Sequence, residues 1–203
     1  MAKSSVSVQV QNLEKLTKDL YGIRHAGDKA LKRTAADLKK RLPGPIATEV
    51  AKMYHIDKAE INPYSKDAVP GKTAVRFKIK GDTVASLALI YEGRLLTPRG
   101  HGFVLKEKEY KRKPSKIKLK IKKGTEKTLE GRYNTAFMAP VKRGSSVRIP
   151  FQRVPSTNKI QAIRTLAVPE MIDNEKVNAA IYERIEEIVN KRVEHNFKHL
   201  LGK

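Results

Sequence analysis

The segment after Asp173 leaves the chain least freedom. Val177, Ala180, Ile181, Ile185, Ile188, Val189, Val193, Phe197, Leu200 and Leu201 recur at three- and four-residue steps, so a helix over 173–201 gathers them on one apolar stripe. Asp173 or Asn174 can cap that helix, and Gly202 can end it. Such a stripe has to be covered, so the other elements must pack against it.

Those elements are legible in turn. "VSVQV" alternates Val6, Val8 and Val10 with polar residues and predicts a short strand. Asn12 can cap a helix starting near Leu13. A basic helical segment over 26–54 follows, with Leu31, Thr34, Ala35, Leu38 and Leu42 at helical spacing and Lys29, Lys32, Arg33, Lys39 and Lys40 on the other faces. "PGP" at 43–45 interrupts it, and Pro45 suits the first turn of a continuation through Ile46, Val50 and Met53. "HIDKAEINPYSKDAVPGK" reads as a polar connection ending in a Pro-Gly turn.

Region 74–154 reads as a sheet. "AVRFKIK", the turn "GDT" and the more apolar "VASLALI" predict a hairpin. A basic strand or arm occupies 106–123, where 10 Lys/Arg face 2 Glu, and Ile117, Leu119 and Ile121 alternate with Lys116, Lys118, Lys120 and Lys122. "NTAFMAPV" and "SSVRIPFQRV" flank the turn "KRGS", and Pro150 predicts an edge position for the second strand. The 203 residues fit a single domain, 1–203, of α+β class: a small, mostly antiparallel sheet with an N-terminal helical segment and a long C-terminal helix packed on it.

Charge narrows the function. The chain holds 43 Lys and Arg against 21 Asp and Glu, a net +22, yet from Glu170 onward it carries −1. An excess of this size implies an anionic partner or a place inside a larger assembly. The lysine faces fit a solvated or protein-facing outer strand, protected against edge pairing, better than contact with nucleic-acid phosphates. Only Tyr110 and Tyr133 lie near them for stacking on bases. The absence of Cys removes disulfide and thiolate chemistry. No apolar run nears the roughly 20 residues that span a bilayer, and "MAKSSVSVQV" has no signal-peptide core, so a cytoplasmic protein without a membrane partner is expected.

No set of residues reads as catalytic, cofactor-binding or metal-binding, so an enzyme is not expected. His195 and His199 share a helical face in "HNFKH", but Asn196 and Lys198 fill the slots where a metalloprotease would carry its base, and the pair reads as a plain surface. "GRLLTPRGHGF" lacks the lysine and the following helix of a phosphate loop.

"KIQAIRTLAVPEMI" is too apolar for a simple linker. It is either a buried crossover that sets the last helix against the sheet or a contact with another subunit, for which Leu166, Val168, Pro169 and Met171 are the candidates. Lys116, Lys118, Lys120 and Lys122 are the candidates for contact with an anionic partner or DNA.

The order of these segments resembles the minor tail protein Z family of tailed bacteriophages. The similarity runs through "ALKRTAADLKKRL", "GRLLTPRGHGFVLK", "IKLKIKKG", "LEGRYNTAFMAPVKRGSSVRIPFQR", "IRTLAVPEMI" and "KRVEHNFKHLL". It implies a structural tail-completion or neck protein of the virion, assembled in the host cytoplasm as a homo-oligomer, a hexameric ring at the head-proximal end of the tail. Its partners would be the tail terminator or tube and the head-side connector, with weak, sequence-independent contact with DNA in the channel. The alternative from charge alone is a stand-alone basic nucleic-acid-binding protein.

Overall fold

The computed structural model describes residues 4–10, 24–66, 73–80, 86–108, 116–129, 136–157 and 159–200. The helix expected near Leu13, the turns at Pro70-Gly71 and 81–83, Tyr110, Tyr133 and the Leu201-Gly202 terminus lie outside them. The fold is α+β. Its contacts gather into two compact units, 1–50 with 58–94 and 168–203, and 51–57 with 95–167, where length and pattern lead one to expect a single domain.

In the first unit, β1 (Ser4–Val10), β2 (Thr73–Lys80) and β3 (Ser86–Gly93) form an antiparallel sheet in the order β1-β3-β2. The central position of β3 explains its apolar run: Leu89 and Tyr91 are buried, and Tyr91 lies in register between Val6 and Val75. Helix α1 (Arg24–Arg41) ends in Lys39, Lys40 and Arg41, cations that complement the negative end of the helix dipole. Helix α2 (Pro43–Met53) follows almost without a gap. Pro43 and Pro45 have no N–H to give, yet Leu42 donates to the Leu38 carbonyl at 2.9 Å and Ile46 to that of Leu42 at 3.2 Å, so the junction keeps a hydrogen-bonded path.

The short helix α3 (Val168–Ile172) and the long helix α4 (Glu175–Leu200) complete this unit. Val177, Ile181, Ile185, Val189, Val193 and Phe197 are all buried. Their strict four-residue spacing advances the stripe by about 40° at each step on a helix of 3.6 residues per turn, so no single partner can cover it. The cover comes from α1, α3 and β1. Helices α1 and α4 run antiparallel: Arg33 meets His199 and Thr34 meets Asn196, while Arg41 lies beside Ile188 and His195. Leu31, Thr34, Ala35, Leu38 and Leu42 form the buried face of α1, as their spacing predicts. Within this contact the Asn196 amide donates to Thr34 Oγ1 at 3.0 Å and to Asp37 Oδ2 at 3.3 Å, and the Thr34 hydroxyl donates back to the Ala30 carbonyl at 2.8 Å.

The connection after α2 is less polar than its composition suggests. It forms a 3₁₀ turn at Lys58–Glu60 and buries Ile56 and Ile61.

The second unit contains two further antiparallel sheets, so the sheet expected over 74–154 is divided. Strands β4 (Val104–Lys108), β5 (Lys116–Lys120) and β6 (Lys127–Thr128) form one, and β7 (Ala136–Pro140), β8 (Arg148–Arg153) and β9 (Ile160–Ala162) the other, each in sequence order. Strand β8 is therefore central, not at an edge. Its ladder to β9 begins at Phe151↔Ala162, so Pro150 sits just past the end of that short strand, where its carbonyl still accepts from Ile163 at 2.9 Å and the missing donor interrupts no interior rung.

Candidate functional site

The second unit concentrates the charge. Residues 95–167 hold 19 Lys and Arg against 4 Asp and Glu, +15 of the chain's +22. What this charge can contact depends on how β5 and the hairpin after it are built. Alternation buries Ile117 and Leu119 and turns Lys116 and Lys118 outward, with Lys120 less exposed. Beyond β5 the chain pairs with 53–55: Lys122 bridges Tyr54, His55 donates to the Ile121 carbonyl at 2.7 Å, and Lys123 donates to that of Met53 at 2.8 Å. Gly124, at φ +77°, turns the hairpin, and the Leu129 N–H returns to the Ile117 carbonyl at 2.7 Å.

A neighbouring loop fixes the 54–57 segment. Gly100, His101 and Gly102 all have positive φ, and the His101 carbonyl accepts from the Asp57 N–H at 2.9 Å. A Cβ on Gly102 would stand 2.7 Å from the Asp57 nitrogen, so only glycine permits this approach. The glycines of "GRLLTPRGHGF" thus serve a backbone contact.

Facing the hairpin is the extended stretch Arg164–Leu166, held by Leu96: Thr165 donates to the Leu96 carbonyl from its N–H at 2.8 Å and from its hydroxyl at 3.1 Å, and Leu96 donates to the Leu166 carbonyl at 3.4 Å. Between the two lies a groove of about 720 Å³. Its apolar surface comes from Leu119, Ile121, Leu129 and Leu166, its charge from Lys122, Lys127 and Arg164, and its polar edge from Thr125, Thr128 and Thr165. No carboxylate is among the residues that line it. Tyr54 also contributes, and burial pushes its phenol above the ordinary tyrosine value.

The carboxylate nearest in sequence, Glu126, turns elsewhere. It accepts from Lys118 at 2.6 Å and lies 3.6 Å from Lys120. The Lys118 hydrogen bond, followed by the charges of Lys118 and Lys120, holds the Glu126 carboxyl below the usual glutamate value.

The four candidate lysines therefore do not act as one row: Lys118 and Lys120 share Glu126, Lys116 is exposed, and Lys122 lines the groove. The four candidate subunit-contact residues separate as well. Val168, Pro169 and Met171 are buried within the single chain, at 1% exposure for Val168 and 0% for Met171, so they have no surface to offer another copy. They belong to α3, which packs on β1 and β3, where Pro169 Cδ would lie 3.2 Å from a Cβ on Gly93. That corrects the subunit-contact expectation for these three and favours the crossover alternative. Leu166 remains, 37% exposed, in the groove.

Sequence reasoning did not join Arg164 to Lys122 and Lys127. The available signal was the glycine turn in "LKIKKGTEKTL", flanked by Ile121 and Leu129, which marks a hairpin rather than a lone strand. Phe137 and Phe151 form a cross-strand pair with ring centroids 6.4 Å apart, and the Arg153 guanidinium lies 5.7 Å from the Phe137 centroid. In the first unit, His195 lines a cavity of about 440 Å³ with Arg41, Lys191 and Arg192, while His199 Nδ1 faces Arg33 Nη1 at 3.4 Å. Among the described residues no group of three His, Cys, Asp or Glu is placed to hold a metal, and no helix is long and apolar enough to cross a membrane. Comparison with protein-family models, curated proteins and solved structures found no match.

Proposed function

We propose that the chain is a structural, non-enzymatic subunit of a tailed bacteriophage or phage-tail-like particle. It closes into a ring, of six copies by the family resemblance, at the head-proximal end of the tail, joins the tail tube to the head-side connector, and leaves a channel for DNA. The order of segments similar to the minor tail protein Z family motivates this reading. The observation that carries it is the segregation of charge. A unit at +15 with an open groove free of carboxylates is self-repelling in isolation and gains stability beside acidic protein surfaces. Passing DNA would meet the exposed lysines weakly and without sequence preference, as contacts to the phosphate backbone carry no sequence information.

A second reading, a stand-alone nucleic-acid-binding protein, draws on the Phe137–Phe151 pair beside Arg153, a combination suited to stacking bases. Negative-stain microscopy of the purified chain mixed with headless tails separates the two. Rings seated on the head-proximal end support the first. Particles that leave tails bare while binding duplex or single strands tightly, with a steep salt dependence, support the second.

A further inference from the structure

We propose that the groove of the second unit receives the acidic outer side of α4 from a second copy, so that copies join head to tail. This rests on the ring reading and specifies which surfaces build the ring.

The groove defines its occupant by chemistry. It presents Leu166 at 37% exposure beside Lys122, Lys127 and Arg164, with no carboxylate in the lining. A complementary surface must bring an apolar or aromatic side chain together with carboxylates. The described residues of the same chain include such a surface. Residues 170–187 hold six Asp and Glu against two Lys and Arg, the reverse of the balance in 95–167. On α4, Ala179, Tyr182, Glu183 and Glu186 are all exposed and share one side by their three- and four-residue spacing. Glu187 and Glu194 are engaged within the helix by Arg184 and Lys191 and by Lys198, and Glu183 takes no part in those pairs.

The basic faces of the same chain fail as rivals on charge. The outer side of α1 shows Lys29, Lys32, Arg33, Lys39 and Lys40. The exposed Val141, Val147, Ile160 and Leu95 each adjoin a lysine or arginine, whereas Tyr182, 42% exposed, adjoins Glu183. Groove against groove would oppose three cations to three, which excludes a two-fold pairing through this surface. Groove against helix is heterologous, the type of contact that closes into a ring when its rotation permits.

Sedimentation velocity on the full chain tests this with two charge-reversed variants, Lys122→Glu with Arg164→Glu, and Glu183→Lys with Glu186→Lys. The wild type is expected to assemble. Each variant alone should assemble at least about tenfold more weakly. An equimolar mixture should regain assembly, because the acidic helix of the groove variant fits the intact basic groove of the helix variant, and the reversed helix fits the reversed groove. Should the groove variant melt early, Lys122→Ala with Arg164→Ala replaces it. Wild-type assembly that persists unchanged in both variants overturns the proposal and leaves the ring reading standing, as does a mixture that assembles no better than either variant alone. A wild type that is monomeric at every concentration overturns both. Loss of duplex binding in the groove variant with unchanged self-assembly would reassign the groove to a polyanion and overturn the proposal.

Discussion

Tyr91 shows what one atom can contribute. Its side chain is 0% exposed at the centre of the first sheet, and its hydroxyl has no hydrogen-bond partner among the described residues. Burying an unpaired hydroxyl costs about 1–3 kcal/mol. Tyr91→Phe should therefore leave stability at neutral pH unchanged or raise it by about 1 kcal/mol in urea unfolding. A loss would show that the hydroxyl is bonded. Burial, with a smaller contribution from Tyr64, also raises the Tyr91 phenol far above its ordinary value of 10.0. The unfolded chain then releases this proton first, so stability is intact below pH 10 and falls as pH rises further. That alkaline loss should shrink in Tyr91→Phe. Glu126 has the opposite sign. Its lowered value, set first by the Lys118 hydrogen bond, means that its contribution is present above the ordinary glutamate range and is lost as pH falls through the lower folded value. A carboxyl-detected NMR titration should place Glu126 below an unpaired surface glutamate, and a normal value would contradict the Lys118–Glu126–Lys120 arrangement.

Among elements, the antiparallel contact of α1 with α4 holds the first unit. Leu38 is fully buried in it, and Leu38→Ala should cost about 2–5 kcal/mol. Asn196→Ala should cost about 1–3 kcal/mol, because Asp37 and Thr34 lose their donor, while Ala at the exposed Asn190 of the same helix should change stability by less than about 0.5 kcal/mol. Equal effects at 190 and 196 in thermal unfolding would contradict this packing. Both helices were readable from sequence because one continuous segment carries the whole apolar period. Strands β6 and β9, of two and three residues, are too short to show a period, and their existence depends on partners distant in sequence. Pro150 misleads for the same reason: its central position is tolerable only because β9 stops one residue short of it. The groove was half legible. Lys122 and Leu166 each stood out, but the pairing of Thr165 with Leu96 that brings their segments together is a long-range contact without a local signature.

At the scale of the molecule, +15 lies in one unit and a run of carboxylates lies on the outer side of a helix in the other. In the proposed head-to-tail ring the two surfaces would face each other in every subunit. Such pairing weakens with salt, because exposed charges are screened within about 10 Å at 0.1 M ionic strength. The most direct measurement is the mass of the purified chain by light scattering over a wide range of concentration at moderate ionic strength. A single closed species, of a mass that stops growing with concentration and that dissociates in high salt, is expected. A monomer across the whole range would contradict it.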